Sequence, residues 1–125
     1  MRTLIASIAI VLGTVLSAQN IAGRWVTIDD NTGKRRSVVE ITVKEGKATG
    51  RIVEIFDPAK RDRTCEACTD DRKGRKVLGM EIIRGMEKDG SEWEGGTILD
   101  PDNGKVYDCK MWLEKGKLQV RGFVA

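Results

Sequence analysis

Hydrophobic and polar positions alternate along most of this chain. Val39, Ile41 and Val43 share one parity, and Val38, Glu40 and Thr42 the other. Side chains with a period of two line opposite faces of a strand. Turn-forming runs interrupt the pattern at short intervals: Asp30-Asn31-Thr32-Gly33, Glu45-Gly46, Lys88-Asp89-Gly90, Asp102-Asn103-Gly104 and Lys115-Gly116. Strands are therefore expected over 24–29, 36–44, 47–56, 78–86, 92–99, 105–114 and 117–124. Such an order of strands and turns reads as an all-β antiparallel meander.

Two hairpins have a register that can be written down. A two-residue turn at Glu45-Gly46 places Val43 opposite Ala48, Ile41 opposite Gly50 and Val39 opposite Ile52. Glu40 then meets Arg51 on the other face, a favourable cross-strand pair. A turn at Lys115-Gly116 pairs Leu113 with Leu118, Met111 with Val120 and Cys109 with Gly122. It also sets Lys110 against Arg121, a small repulsion outweighed by the aliphatic face it aligns. The expected inner face carries Val39, Ile41, Val43, Ile52, Leu99, Tyr107, Met111, Leu113, Leu118 and Val120. Trp112 and Phe123 fall on the outer face. Gly95-Gly96 inside the fifth strand marks a bend, a bulge or a close backbone approach.

Two segments break the alternation. Leu4 to Leu16 is an uncharged apolar run behind Met1-Arg2, and small Ser17-Ala18 precede Gln19. That order is expected of a secretory signal peptide over 1–18, leaving one β domain over 19–125 and a location in the periplasm or outside the cell. The run is short for a membrane span of roughly 20 residues, and no other segment offers one. Asp57 to Lys76 is the second exception. It is densely charged, nearly devoid of apolar side chains, and expected to be a long loop, functional or mobile, with a short helical turn.

Composition narrows the chemistry. The 125 residues include no histidine, 3 cysteines and 22 Lys+Arg against 19 Asp+Glu. Without histidine there is no Ser-His-Asp or Cys-His machinery and no imidazole metal ligation. The charges are mixed, with no basic stripe for nucleic acid. Cys65 and Cys68 in an oxidising compartment point to a local disulfide with Cys109 a buried free thiol, the alternative being a link from Cys109 to the loop; one further thiol is too few for a zinc site. Asp100-Pro101-Asp102-Asn103-Gly104 lacks the spacing of an EF-hand loop and reads as a hairpin turn. No cofactor or metal is expected. An enzyme would have to use carboxylates such as Glu94, Asp100 or Asp108 beside Tyr107.

Gly23-Arg24-Trp25, Asp29-Asp30-Asn31-Thr32-Gly33-Lys34, Cys65-Glu66-Ala67-Cys68, the run from Gly95 to Tyr107, and Lys117 to Phe123 occur together in this order. In that arrangement the chain resembles the domain-of-unknown-function family 2147, small exported bacterial proteins. The resemblance implies a lipocalin-like barrel and brings no activity. It also implies one more strand after Arg121-Gly122-Phe123, ending in an aromatic residue and an arginine that packs over the first-strand tryptophan. Here the sequence stops at Ala125, so the expectation is a lipocalin-like barrel or an incomplete one, with the chain truncated or a partner or neighbouring element covering the gap. The function read from the sequence is a module that binds a small apolar ligand, with Trp25, Trp93, Tyr107 and Met111 as candidate contacts. The alternative is a protein-interaction or envelope structural module that pairs with a partner or a second copy through an open sheet edge or the 57–76 loop.

Overall fold

The structure, a computed structural model, describes residues 20–124. The signal-peptide reading of residues 1–18 lies outside them. Seven strands follow in chain order: β1 (Gly23–Ile28), β2 (Arg35–Lys44), β3 (Lys47–Ile55), β4 (Glu81–Asp89), β5 (Glu92–Asp100), β6 (Lys105–Glu114) and β7 (Lys117–Phe123). Each pairs antiparallel with the next in one sheet of order β1-β2-β3-β4-β5-β6-β7. The sheet curls into a nearly closed barrel, with no β1–β7 ladder among the described residues.

Both registers written from the sequence are the ones observed. Ile41 faces Gly50, Val39 faces Ile52 and Glu40 faces Arg51. Met111 faces Val120, Cys109 faces Gly122 and Lys110 faces Arg121. The turn residues Glu45 and Lys115 hold positive φ (53° and 52°), as a tight twisted hairpin demands, although neither is glycine. The repulsion foreseen at Lys110 is relieved by Glu92 and Glu94, each 3.6 Å from its Nζ.

The fourth strand is displaced from its expected span. It runs over 81–89 rather than 78–86. Leu78, Gly79 and Met80 belong to the preceding loop, where the Gly79 N–H donates to the Ile52 carbonyl at 2.7 Å. Gly85 then breaks the two-residue rhythm, so the strand continues to a tip at Gly90-Ser91. Gly96 lies across from it. A Cβ at Gly96 would fall inside the backbone of Arg84, Gly85 and Met86, which explains the glycine pair as a close approach.

The inner faces meet in one core built on Ile21, Ile41, Ala48, Met86, Trp93 and Met111, all buried. Two expected members are not covered: Val43 and Val120 keep 36% and 42% of their surface. Val120 stands on β7, which has no paired strand on its far side among the described residues, and Val43 sits next to the β2–β3 turn.

Between β3 and β4 the chain forms a cap. A short 3-10 turn (Pro58–Lys60) opens it, with Asp57 accepting the Ala59 N–H. Thr64 bridges Lys76, and a Cys65–Cys68 disulfide closes the tip. Both sulfurs are buried in the same core as the strands. The closed loop is only four residues long, so loop-closure entropy gives about 2 kcal/mol of stabilisation. Reduction is therefore expected to lower unfolding free energy by about 2 kcal/mol in a urea titration with and without reductant. No change on reduction would mean that the burial of the cap alone holds it.

Candidate functional site

The cap and one end of the barrel enclose a cavity of about 640 Å³. That lies within the ~300–1,000 Å³ range of small-molecule pockets. Its floor is apolar: Ile52 and Ile55 from β3, Val77 from the cap, Ile82 from β4, and Ile98 and Leu99 from β5. Tyr107 of β6, Gly122 of β7, Thr27 of β1 and Ser37 of β2 also line it. The Thr27 and Ser37 hydroxyls lie 2.8 Å apart, and Thr27 Oγ1 also accepts the Ser37 N–H. They are satisfied by each other and leave the wall only weakly polar.

The rim is charged. Lys34 precedes β2, Arg35 and Arg36 begin it, Lys60 ends the 3-10 turn, and Arg63 follows in the cap. Asp102 in the β5–β6 turn binds Arg36 at 2.7 Å and Arg63 at 2.6 Å. This clamp ties β2, the cap and the β5–β6 turn together. Burial alone would raise the Asp102 carboxyl, but its hydrogen bonds to Arg63 and Arg36 outweigh that and hold it below its ordinary value. The buried Arg63 Nε has no hydrogen-bond partner. Asp29, Asp57 and Asp100 also line the cavity. Each turns an oxygen to backbone N–H groups: Asp29 to Asn31 and Thr32, Asp57 to Ala59, Asp100 to Asp102.

Of the four residues proposed from sequence as ligand contacts, Tyr107 lines the cavity. Trp93 and Met111 are buried in the core, away from the cavity wall. Trp25 is half-buried against that core and donates its indole N–H to the Ile21 carbonyl at 2.8 Å. The aromatic residues expected on the outer face are there: Trp112 pairs with Gln119, and Phe123 lies beneath the Arg121 guanidinium, 5.7 Å from its ring centroid. Of the carboxylates named for an enzyme, Asp100 joins Tyr107 in the cavity, whereas Glu94 pairs with Lys110 and Asp108 is exposed. Cys109 is a buried free thiol, and burial pushes its pKa up to about 11. At neutral pH it is a packed apolar group rather than a nucleophile. No cluster suited to a metal ion occurs among the described residues.

The rim cations escaped a reading built on aromatic side chains. Their signal was present as the run Lys34-Arg35-Arg36 at the start of a strand and as the basic residues of the charged loop.

The runs that carry the family resemblance lie on this frame, with Gly23-Arg24-Trp25 opening β1 and Cys65 to Cys68 in the cap. The sequence model of an uncharacterized protein conserved in bacteria, DUF2147, matches residues 23–125. The chain belongs to this family. Among solved structures it is similar to protein HP1028 from the human pathogen Helicobacter pylori, described as belonging to the lipocalin family, with a TM-score of 0.69. The two share 18% identity over 82% of this chain and 71% of that one, so the likeness is one of fold. No curated protein matches the sequence. The DUF2147 chain is thus a lipocalin-like barrel whose interior opens under the cap.

Proposed function

We propose that this protein binds a small, largely apolar molecule in the cavity between cap and barrel. The observation that carries the reading is the segregated cavity wall, a buried aliphatic floor below an exposed mouth, in a barrel of lipocalin-like fold. Apolar concavities of this volume bind ligands by removing their surface from water, worth about 25 cal/mol per Å². The test uses the neutral fluorescent probe N-phenyl-1-naphthylamine. Its emission is expected to rise and shift to the blue at micromolar protein, and Ile98→Trp, which fills the floor, is expected to abolish the response. An equal response from Ile98→Trp would place the probe elsewhere and remove the proposal.

Export accompanies this reading. Its support is the Cys65–Cys68 disulfide, which persists in oxidising compartments, together with the apolar run expected to direct secretion. Fractionation of the native host tests it, and retention in the cytoplasm rejects it. A second reading, strand addition at a free edge, is favoured by exposed Val26 and Ile28 on β1 and Val120 on β7. Light scattering at rising concentration separates the two, since a ligand carrier has no need of a second copy.

A further inference from the structure

The floor of the cavity is uncharged and its rim is cationic, and the two are separated by burial. Ile52, Ile55, Val77 and Leu99 are buried, whereas Lys34, Arg35 and Lys60 are exposed. A wholly apolar ligand would use the first region and leave the second unexplained.

The rim carboxylates form no ion pair with those three cations. Asp29, Asp57 and Asp100 cap backbone N–H groups of their own turns. Asp102 is held between Arg36 and Arg63. Among the described residues Lys34, Arg35 and Lys60 make no ion pair; Arg35 only stacks near Phe56, at 6.0 Å from the ring centroid. The clamp also fixes where they stand, because it joins the start of β2 to the cap just beyond Lys60. With Asp102 included, five cations face four carboxylates around the mouth, a surplus of one positive charge. One monoanion balances that surplus, and a dianion exceeds it. Above a low-dielectric floor such a charge is felt more strongly than on an open surface.

We infer that the cavity takes a single-chain amphiphile with a carboxylate head, its chain on the aliphatic floor and its head among Lys34, Arg35 and Lys60. This rests on the cavity-binding reading and gives it a ligand class. The apolar part supplies affinity, and the rim supplies choice between ligands of equal chain length.

Displacement of N-phenyl-1-naphthylamine by matched twelve-carbon ligands tests the assignment. Dodecanoate and dodecan-1-ol are both expected to displace the probe, dodecanoate at about a tenfold lower concentration in low salt. High salt is expected to shrink the gap, because the rim is exposed to screening. In the triple variant Lys34→Gln, Arg35→Gln, Lys60→Gln the two ligands are expected to converge, with dodecan-1-ol unchanged. None of the three side chains makes an ion pair, so the variant keeps the fold, and an unchanged circular dichroism spectrum verifies this. Equal displacement by acid and alcohol in the unaltered protein overturns the carboxylate assignment and leaves cavity binding standing. Tighter displacement by dodecyl phosphate than by dodecanoate also overturns it, in favour of a dianion. Absence of probe binding overturns the cavity reading and this inference with it.

Discussion

Gly104→Ala is expected to lower the melting temperature by roughly 12 °C or more, about three kcal/mol at some 4–8 °C per kcal/mol for a domain of this size. Two effects add at this position. Gly104 holds φ +74°, a left-handed conformation that costs an alanine about 1 kcal/mol. Its missing Cβ also leaves room for the Ala67 backbone, which would otherwise overlap the new methyl group. Relief requires the cap to lift from the β5–β6 turn, since the two nearest of the three contacts are Ala67 backbone atoms and the third is its Cβ, and overpacking of this kind costs about 1–3 kcal/mol. Gly116→Ala separates the two effects. It has φ +77° but nothing within 4 Å of the added methyl, so only the strain of about 1 kcal/mol is expected. Thermal unfolding of both variants is the measurement. Equal shifts would mean that the cap is not seated on Gly104. The Gly104 variant is also expected to bind N-phenyl-1-naphthylamine more weakly, because lifting the cap moves Val77 off the cavity wall.

The strands were legible and the cap was not, for a physical reason. A strand pair records itself in local alternation and in the two residues of its turn. Val39, Ile41 and Met111 could therefore be assigned partners without any structure. The cap obeys no period. Its seat in the core depends on Cys65, Cys68, Val77 and Met80, four apolar groups scattered through a charged stretch. Its other anchors are pairs remote in sequence, such as Arg63 with Asp102. The same distinction governs the candidate site. Tyr107 lies on a regular strand and its inward face could be counted, and it lines the cavity. Trp93 and Met111 also face inward, but the end of the barrel at which the chain leaves an opening is decided by where the cap packs. Inward direction was in the sequence; depth along the barrel was not. The shift of β4 has the same origin, since the cap takes Leu78 to Met80 and Gly85 resets the alternation beyond them.

Asp70→Asn is expected to destabilise the protein by about 3 kcal/mol, the lower end for breaking a buried ion pair, because the Asp70 side chain keeps 35% of its surface. Arg72 is the cap's buried cation, with 3% of its surface exposed. Its guanidinium donates to both Asp70 oxygens and, through Nη1, to the Glu81 carbonyl at the start of β4. Removing the carboxylate leaves that charge buried without its counterion. Arg72→Leu removes the charge itself and leaves only a carbonyl and a partly solvated carboxylate, so a smaller loss of about 1–2 kcal/mol is expected. The order of the two variants is the point, because a purely steric role for Arg72 predicts the reverse. Acid supplies an independent reading. The Arg72 hydrogen bonds pull the Asp70 pKa down from 3.8 to about 2. A carboxylate depressed on folding stabilises the native state above its unfolded pKa and loses that contribution as the pH falls through the folded one. Urea unfolding at pH 7, 4 and 2 is therefore expected to show a loss between pH 4 and 2 in the native protein, and a smaller loss in Asp70→Asn. Since Arg72 holds the cap to the first residue of β4, the same acid range is expected to release the cap and weaken probe binding in step. Parallel pH profiles for the two proteins would assign the acid sensitivity instead to the other carboxylates held low on folding, Asp102, Asp71 and Asp29.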